Sequence, residues 1–141
     1  MKAKLSRKSQ PRNILIANLA TSLILHGKIK TTLPKANAVQ CYVEKIFTDV
    51  RKNSLAAKRK VGSKLKDKKA VAKLFEIGAK NISKIPSSGY TSIYKLYTRK
   101  GDGSTIALIK INENIFKVEE DKSDIKTVNK EITNKNEKNK Q

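Results

Sequence analysis

The stretch Leu23-Ile-Leu-His-Gly-Lys-Ile-Lys-Thr-Thr-Leu-Pro34 changes its periodicity twice and thereby sets the fold. Apolar residues at helical spacing lead into Gly27, which is expected to end a helix in the left-handed conformation. Lys28–Leu33 then alternates between apolar and cationic sides, as a short strand with a cationic outer face does. Thr32 followed by Pro34 gives the start signal of a second helix. The stretch therefore predicts a helix–strand–helix unit.

The first helix is predicted to begin at Ser9, which can cap it, with Pro11 in its first turn. Its apolar stripe consists of Ile16, Leu19, Ala20, Leu23 and Ile24. Residues 1–8 precede this helix and are polar and basic, without an apolar face. We expect them to form an arm that orders only against a partner.

Three more helices are predicted from capping residues and apolar spacing. The second helix buries a stripe made of Val39, Tyr42, Val43, Ile46 and Val50, with Phe47 beside it. Ser54 is expected to cap a third helix that runs to about Leu65. Its inward residues are predicted to be Leu55, Val61 and Leu65. Asp67 is expected to cap a fourth helix that ends near Gly78 and turns Val71, Leu74 and Phe75 inward.

The pattern changes from helical to extended after a turn cluster at Pro86-Ser-Ser-Gly89. Tyr90–Lys100 and Thr105–Ile111 are predicted to be strands joined by a hairpin connection at Gly101–Ser104. The chain after Asn112 has few apolar residues and is expected to be a flexible tail. The predicted fold class is α+β, with about four helices packed on a small antiparallel sheet. The predicted division is an arm (residues 1–8), a domain (9–112) and a tail (113–141).

The charge of the chain is concentrated in this domain and arm. Residues 1–112 hold 25 basic and five acidic residues and so carry the whole formal net charge of +20, whereas residues 113–141 hold seven of each. A domain of this size with so much like charge repels itself when it is alone. Such a surface is typical of a protein whose partner is a polyanion. The polyanion that carries the most phosphate groups in a cell is nucleic acid.

Signals of catalysis or of a cofactor are missing from the sequence. Cys41 lies within a helix and is expected to be a buried or half-buried small side chain, and as a single cysteine it indicates a reducing compartment. His26 has no partner at metal-ligand spacing. Gly101-Asp-Gly103 lacks the third glycine and the following helix of a dinucleotide-binding loop. We therefore expect no enzyme activity, cofactor, metal or small-molecule substrate, and no membrane span, because no apolar run is long enough.

Candidate contacts to nucleic acid come from cations, hydroxyls and tyrosines. Ten basic residues and one acid lie between Arg51 and Lys73. His26, at a helix end, can approach phosphate or be a helix-end residue without chemistry, and the sequence favours neither. Hydroxyls that can donate to phosphate or ribose belong to Thr31, Thr32, Ser88, Thr91 and Ser92. Of Tyr90, Tyr94 and Tyr97, one is expected to stack on bases and the others to lie in the core.

The segment Lys28-Ile-Lys-Thr-Thr-Leu-Pro-Lys-Ala36, directly after His26-Gly27, resembles the signature of the bacterial large-subunit ribosomal protein seventeen family. The likeness covers about residues 5–112. It extends through Leu5-Ser-Arg7, Arg12, Asn18-Leu-Ala, Val43-Glu-Lys-Ile46, Ala57-Lys-Arg59, Val71-Ala-Lys-Leu-Phe75, Gly89-Tyr-Thr91, Arg99-Lys-Gly-Asp102 and the closing strand. One departure is Ser92, where the family usually has an arginine that would be a phosphate ligand.

This resemblance implies a non-enzymatic protein bound to 23S-type rRNA near the polypeptide exit tunnel. The implied location is a bacterial-type ribosome in the cytoplasm, with an organelle not excluded. Partners would be rRNA and neighbouring large-subunit proteins, and no homo-oligomer is expected. The family's RNA contacts carry over to Arg7, Arg12, Lys30, Thr31, Thr32, Lys35, Arg59, Tyr90, Thr91 and Arg99.

Residue reasoning and resemblance together predict a structural protein of the large ribosomal subunit. The full predicted rRNA-binding set is Lys2, Lys4, Arg7, Lys8, Arg12, His26, Lys28, Lys30, Thr31, Thr32, Lys35, Arg51, Lys58, Arg59, Lys60, Tyr90, Thr91, Arg99 and Lys100. The alternative is a DNA-associated architectural protein of the nucleoid type. Such proteins usually carry a dimer interface, or a proline or apolar wedge on a β-arm, and the hairpin tip Gly101–Ser104 has no such wedge.

Overall fold

Five helices and three strands form the part of the chain that the structure, a computed structural model, describes: residues 3–65, 67–78, 81 and 88–116. In chain order they are α1 (Ser9–His26), β1 (Lys28–Thr32), α2 (Leu33–Arg51), α3 (Leu55–Leu65), α4 (Lys68–Lys73) with a π-helical turn (Leu74–Gly78), β2 (Thr91–Thr98), β3 (Thr105–Ile111) and α5 (Glu113–Phe116). This order confirms the predicted α+β class with a small antiparallel sheet.

The predicted helix–strand–helix unit is present. Gly27 ends α1 at φ 75°, and its N–H donates to the Leu23 carbonyl oxygen at 2.7 Å. Because φ lies in the left-handed region, glycine is the residue that fits here without strain. Thr32 occupies the position before α2, with Pro34 in the first turn, so strand and helix follow one another without a loop.

The sheet has the strand order β1-β3-β2, and both pairs are antiparallel. β3 is central, so Ile109 pairs with Ile29 on one side and with Ile93 on the other. The pairing of β2 shifts between Lys95 and Tyr97, where Leu96 is the extra residue of a β-bulge. The predicted hairpin connects Thr98 to Thr105.

Helices cover one face of this sheet and enclose the core. The fully buried side chains include Leu23 and Ile24 of α1, Val39, Val43, Ile46, Phe47 and Val50 of α2, and Ala107 and Ile109 of β3. The ring of Phe47 lies 5.3 Å from that of Tyr90, at an interplanar angle of 52°. Such a tilted aromatic pair adds about 0.5–1.5 kcal/mol to the effect of burial alone. The packing of α2 against the start of β2 therefore joins the helical layer to the sheet.

Helices α3 and α4 each begin at a side-chain cap, and a tyrosine hydroxyl holds the end of α3. The Ala57 N–H donates to Ser54 Oγ at 3.2 Å and the Lys69 N–H donates to Asp67 Oδ1 at 2.9 Å, which confirms both predicted caps. Tyr42 Oη donates to the Lys64 carbonyl oxygen at 3.0 Å, so the carbonyl end of α3 is held against α2. This arrangement orients the lysines of α3 relative to α2.

Three local predictions are wrong. Ser9 is the first residue of α1 and not its cap; Lys8 precedes the helix, without a side-chain cap bond. Leu55 is 64% exposed, because Ala57, Val61 and Leu65 form the inward side of α3. Cys41 is exposed, since the buried stripe of α2 runs along another face of that helix.

The fold continues past Asn112, because Ile115 in α5 is fully buried in the core cluster. The division into arm, domain and tail stays a prediction. Lys2, the turn residues Pro86 and Ser87, and residues 117–141 lie outside the described residues. In the described ranges, no helix has the length and apolar character required to span a membrane.

Candidate nucleic-acid interface

Glu44, one of the few acids of the cationic region, is engaged within the fold. Glu44 on α2 accepts two hydrogen bonds at one carboxylate oxygen, from the backbone N–H of Thr91 at 3.0 Å and from its hydroxyl at 2.9 Å. Gln40, one turn earlier, donates to the Thr91 carbonyl oxygen at 3.2 Å. Helix α2 therefore holds the first residue of β2 through both backbone groups and the hydroxyl of that residue.

Asp49 joins α2 to α3 through two lysines. Lys60 Nζ lies 2.9 Å from Asp49 Oδ1, and Lys64 Nζ lies 2.8 Å from Oδ2. Burial alone would raise the pKa of this carboxyl, but the hydrogen bonds and charges of Lys60 and Lys64 lower it by more, so the pKa lies below its ordinary value of 3.8. Two of the cations predicted from the Arg51–Lys73 run are thus tied to a nearly buried acid.

Replacing Asp49 with asparagine is expected to lower the free energy of unfolding at pH 7 by about 1–3 kcal/mol, because hydrogen bonds to charged groups are lost. Because the folded-state pKa is lowered, the contribution of Asp49 is present above the unfolded value near 4 and is lost as the pH falls through the folded value. Urea denaturation of the wild type and the variant at pH 7 and pH 3 should show a difference that shrinks in acid. Glu76→Gln, at an exposed carboxylate, is the matched control; an equal loss there would contradict the assignment.

Of the other acids before residue 113, one closes the hairpin, one caps α4 and the third, Glu76, is exposed. Asp102 accepts two hydrogen bonds from Arg99 and one from the hydroxyl of Ser104, which hold the pKa of its carboxyl well below its usual range. Asp67 caps α4. Arg99, a predicted RNA contact, is thus ion-paired across its own turn, and part of its charge is neutralised there.

The lysines of β1 are an exposed part of the cationic surface. Lys28 and Lys30 are exposed, as the strand alternation predicted, and Thr32 between them and α2 is half-buried. Thr31 pairs with Ala107 and so lies on the helix-facing side of the sheet, which leaves its hydroxyl less accessible to RNA. No acid of the described residues is recorded in contact with Lys28 or Lys30.

A second group of predicted contacts lies on the helices, the N-terminal segment and the hairpin connection. The exposed members are Lys4, Arg7, Lys8, His26, Arg51, Lys58, Arg59, Lys60 and Lys100, and the half-buried ones are Arg12 and Lys35. Lys58 Nζ lies 5.5 Å from the centre of the Phe75 ring, in a cation–π contact. The turn at residues 4–7 is closed by the Arg7 N–H, which donates to the Lys4 carbonyl oxygen at 3.3 Å. The structure thus distributes the predicted cations over several elements.

Two cations that sequence reasoning missed join His26 and Lys28 at the end of α1. A shallow depression of about 340 Å³ is lined by His26, Gly27, Lys28, Lys73, Lys110, Ile111, Asn112 and Glu113. Lys73 Nζ donates to the Leu25 carbonyl oxygen at 2.7 Å and so satisfies the carboxyl end of α1. Lys110 pairs with Glu113, and this contact raises the pKa of its ammonium group. The alternation of side chains along β3 could have predicted that Lys110 lies on the same face of the sheet as Lys28. No local pattern predicts Lys73 beside them, because tertiary packing brings it there.

Burial corrects two predicted contacts. Tyr90 is 1% exposed and packs on Phe47, so its ring cannot stack on a base. Thr91 is 5% exposed and its hydroxyl donates to Glu44. Both residues belong to the junction of α2 and β2, where the hydrophobic effect and hydrogen bonding hold them inside. The exposed tyrosines are Tyr94 and Tyr97, at 53% and 59%.

The described residues contain no group of three or more His, Cys, Asp or Glu side chains that could hold a metal ion. What the arrangement offers instead is exposed ammonium, guanidinium and tyrosine groups on a rigid α+β frame. Those groups can neutralise phosphate and stack on bases without bond-making chemistry.

Comparison with known proteins identifies the family to which the chain is similar. The family model for ribosomal protein L17 matches residues 15–112. The chain is 47% identical over 109 residues to the large ribosomal subunit protein bL17 of Sulfurihydrogenibium sp. (strain YO3AOP1), covering 76% of this chain and 88% of that protein. It is 44% identical over 106 residues to bL17 of Rickettsia bellii (strain OSU 85-389), covering 75% and 74% of the two chains. It is 43% identical over 106 residues to bL17 of Thermomicrobium roseum (strain ATCC 27502 / DSM 5159 / P-2), covering 75% and 90%. The resemblance seen in the sequence is therefore confirmed: the chain belongs to the ribosomal protein L17 family.

Proposed function

We propose that this protein is a structural constituent of the large ribosomal subunit that binds and stabilises 23S-type rRNA. Its relatives bear the name large ribosomal subunit protein, and its family is one of ribosomal proteins and not of enzymes. We further propose, from the family resemblance, that it lies on the side of the subunit where the polypeptide exit tunnel opens, beside other large-subunit proteins and as a single copy.

One observation carries this proposal: four of the five acids before residue 113 are engaged by hydrogen bonds or ion pairs within the protein, while many cations remain on its surface. Glu44 and Asp49 connect α2 to β2 and α3, and Asp102 closes the hairpin. Lys28 and Lys30 stand exposed on β1. A protein stabilised by self-neutralisation would place acids among these cations, so the excess of exposed cations supports an external polyanion as the partner.

The action proposed is electrostatic and geometric. Cations on the N-terminal segment, β1, helices α1 to α3 and the hairpin contact phosphates of several rRNA helices, release their condensed counterions and reduce the repulsion between those helices. The contact set consists of Lys4, Arg7, Lys8, Arg12, His26, Lys28, Lys30, Lys35, Arg51, Lys58, Arg59, Lys60, Arg99 and Lys100. Lys2 belongs to it by sequence and lies outside the described residues.

Co-sedimentation tests the proposal. In a sucrose gradient at about 0.1 M salt, the wild-type protein should travel with the large subunit and leave only at high salt. Lys28→Ala/Lys30→Ala should weaken binding to large-subunit rRNA roughly ten- to hundredfold, since each phosphate contact releases nearly one counterion. Lys135→Ala/Lys138→Ala, in the charge-balanced part of the chain, is the matched control. Equal losses of affinity in both double variants would mean that Lys28 and Lys30 are not part of the RNA-binding surface. A protein found only at the top of the gradient would overturn the proposal.

Competition separates rRNA from DNA as the partner. The hairpin tip carries an Arg99–Asp102 ion pair and neither proline nor apolar wedge, so it is unsuited to insertion between base pairs. A DNA duplex added in equal nucleotide amount should displace less than half of the protein from folded large-subunit rRNA. Complete displacement would instead support the DNA-associated alternative.

A further inference from the structure

The register of the sheet brings three cross-strand rows onto one face. Directly opposed residues of antiparallel strands share a face. The rows are Lys28–Lys110–Ser92, Lys30–Leu108–Tyr94 and Thr32–Ile106–Tyr97. We call the face formed by these nine residues the open face.

The open face is the one turned away from the helices. The core cluster includes Ala107, Ile109 and Ile111, which alternate with the open-face residues of β3. Ile93 packs against that cluster from β2, between Ser92 and Tyr94. Neither Ile106, which is only 8% exposed, nor the half-buried Leu108 belongs to the cluster or packs against it. The two sides of the sheet are thus distinguished by packing as well as by alternation.

The β-bulge places both exposed tyrosines on this face. Simple alternation would put Tyr94 and Tyr97 on opposite sides, because three residues separate them. The extra residue Leu96 restores Tyr97 to the side of Tyr94, opposite Ile106. Among the described residues, five large apolar or aromatic side chains are exposed; three of them, Tyr94, Leu96 and Tyr97, lie on β2. Two exposed tyrosines in neighbouring rows of one sheet face indicate a binding surface.

The charge of the open face identifies the class of partner. Lys28 and Lys30 stand exposed at one edge, and none of the nine open-face residues is acidic. The acid at its end, Glu113, pairs with Lys110. A purely apolar protein partner would leave the two lysine charges uncompensated at its edge. A strand of unpaired nucleotides supplies both phosphates for the lysines and planar bases for the tyrosines.

The open face also has a recess beside Tyr94. A depression of about 280 Å³ is lined by Ser92, Tyr94, Lys110, Ile111, Asn112, Glu113 and Asn114. It adjoins the depression that holds His26 and Lys28, and the two share Lys110, Ile111, Asn112 and Glu113. Hydroxyl and amide groups beside an aromatic ring are the groups that hydrogen-bond the edges of a stacked base. A path of nucleotides can therefore run from Tyr97 past Tyr94 to the cations at the end of α1.

We propose that the open face is a binding site for unpaired rRNA nucleotides, with Tyr94 and Tyr97 stacking on bases and Lys28 and Lys30 contacting the adjoining phosphates. This inference rests on the proposed function and adds a mode of contact to it: the remaining cations bind the backbone of paired RNA, whereas the open face selects single strands.

Titration with two RNA probes tests this assignment on the full chain. The probes are a single-stranded oligouridylate and an RNA duplex of the same length. The chain has four tyrosines and no tryptophan, so stacking can be followed as quenching of tyrosine fluorescence. Tyr94→Ala and Tyr97→Ala should each weaken oligouridylate binding by roughly five- to tenfold, the low end of what a base–aromatic stack contributes. Duplex binding should change less than twofold.

Controls keep the test decisive. Tyr94→Phe and Tyr97→Phe keep the ring and should retain oligouridylate affinity. Leu55→Ala removes a similarly exposed apolar side chain on α3 and should alter neither affinity. If the tyrosine variants bind both probes as the wild type does, the inference fails while the proposed function stands. If the wild type also fails to bind folded large-subunit rRNA, the proposed function itself fails. Loss of contact with a neighbouring ribosomal protein at unchanged RNA affinity would assign the open face to protein and overturn the inference.

Discussion

Raising the salt concentration from about 50 to about 200 mM is expected to weaken binding of the isolated protein to large-subunit rRNA by roughly 10³-fold, the loss typical of about six phosphate contacts. The physical reason is counterion release: each phosphate that a cation neutralises frees nearly one condensed ion, and added salt opposes that release. The measurement is a binding isotherm at four or five salt concentrations, plotted as log affinity against log salt concentration.

The slope of that plot counts the contacts. A slope of about −0.7 to −0.9 per phosphate is expected, and Lys28→Ala/Lys30→Ala should reduce its magnitude by about 1.5. Lys135→Ala/Lys138→Ala serves as the control and should leave the slope unchanged. A wild-type affinity that barely moves over the titration would mean that the cations do not bind phosphate, and the proposed mechanism would then be wrong.

Local sequence signals were sufficient for the helix–strand–helix unit. Gly27 and Pro34 constrain the backbone directly, so the conformations at these positions do not depend on distant residues. The caps at Ser54 and Asp67 likewise involve hydrogen bonds that span two or three residues. The fold class and the order of the elements can be predicted because they depend on such short-range signals.

Features set by packing between distant segments were not predictable in this way. The alternation of β2 separated Tyr94 from Tyr97, because nothing in the local sequence marks Leu96 as the bulge residue. Leu55 was expected inside because it is apolar, but the orientation of α3 is set by the contacts of Ala57 and Val61. Both errors arise from tertiary geometry overriding a local pattern.

The candidate site shows the same division. The positive charge of the surface could be predicted from the composition, and the exposure of the lysines of β1 from the alternation of the strand. The pairing of Asp49 with Lys60 and Lys64 links α2 to α3, and the bonds from Thr91 to Glu44 span 47 positions. Such long-range pairings determine which cations and hydroxyls stay accessible at the surface. They cannot be predicted from local patterns in a single sequence.

Tyr90→Ala is expected to lower the free energy of unfolding by about 3–5 kcal/mol, the usual cost of deleting a buried aromatic ring. The ring is almost fully buried, and it packs on Phe47 at a centroid distance of 5.3 Å. Urea denaturation followed by far-UV circular dichroism measures this loss. Since rRNA binds only the folded form, a hundredfold excess over the Kd should return about 2.7 kcal/mol of it.

Tyr90→Phe separates this structural role from RNA contact. The Tyr90 hydroxyl is buried and has no hydrogen-bond partner among the described residues. Removing it should leave stability unchanged or raise it by about 1 kcal/mol, because an unsatisfied polar group is removed from the core. Affinity for large-subunit rRNA should be the same as that of the wild type. If Tyr90→Phe instead weakens RNA binding at unchanged stability, the hydroxyl contacts RNA, and the RNA-binding surface would have to include Tyr90.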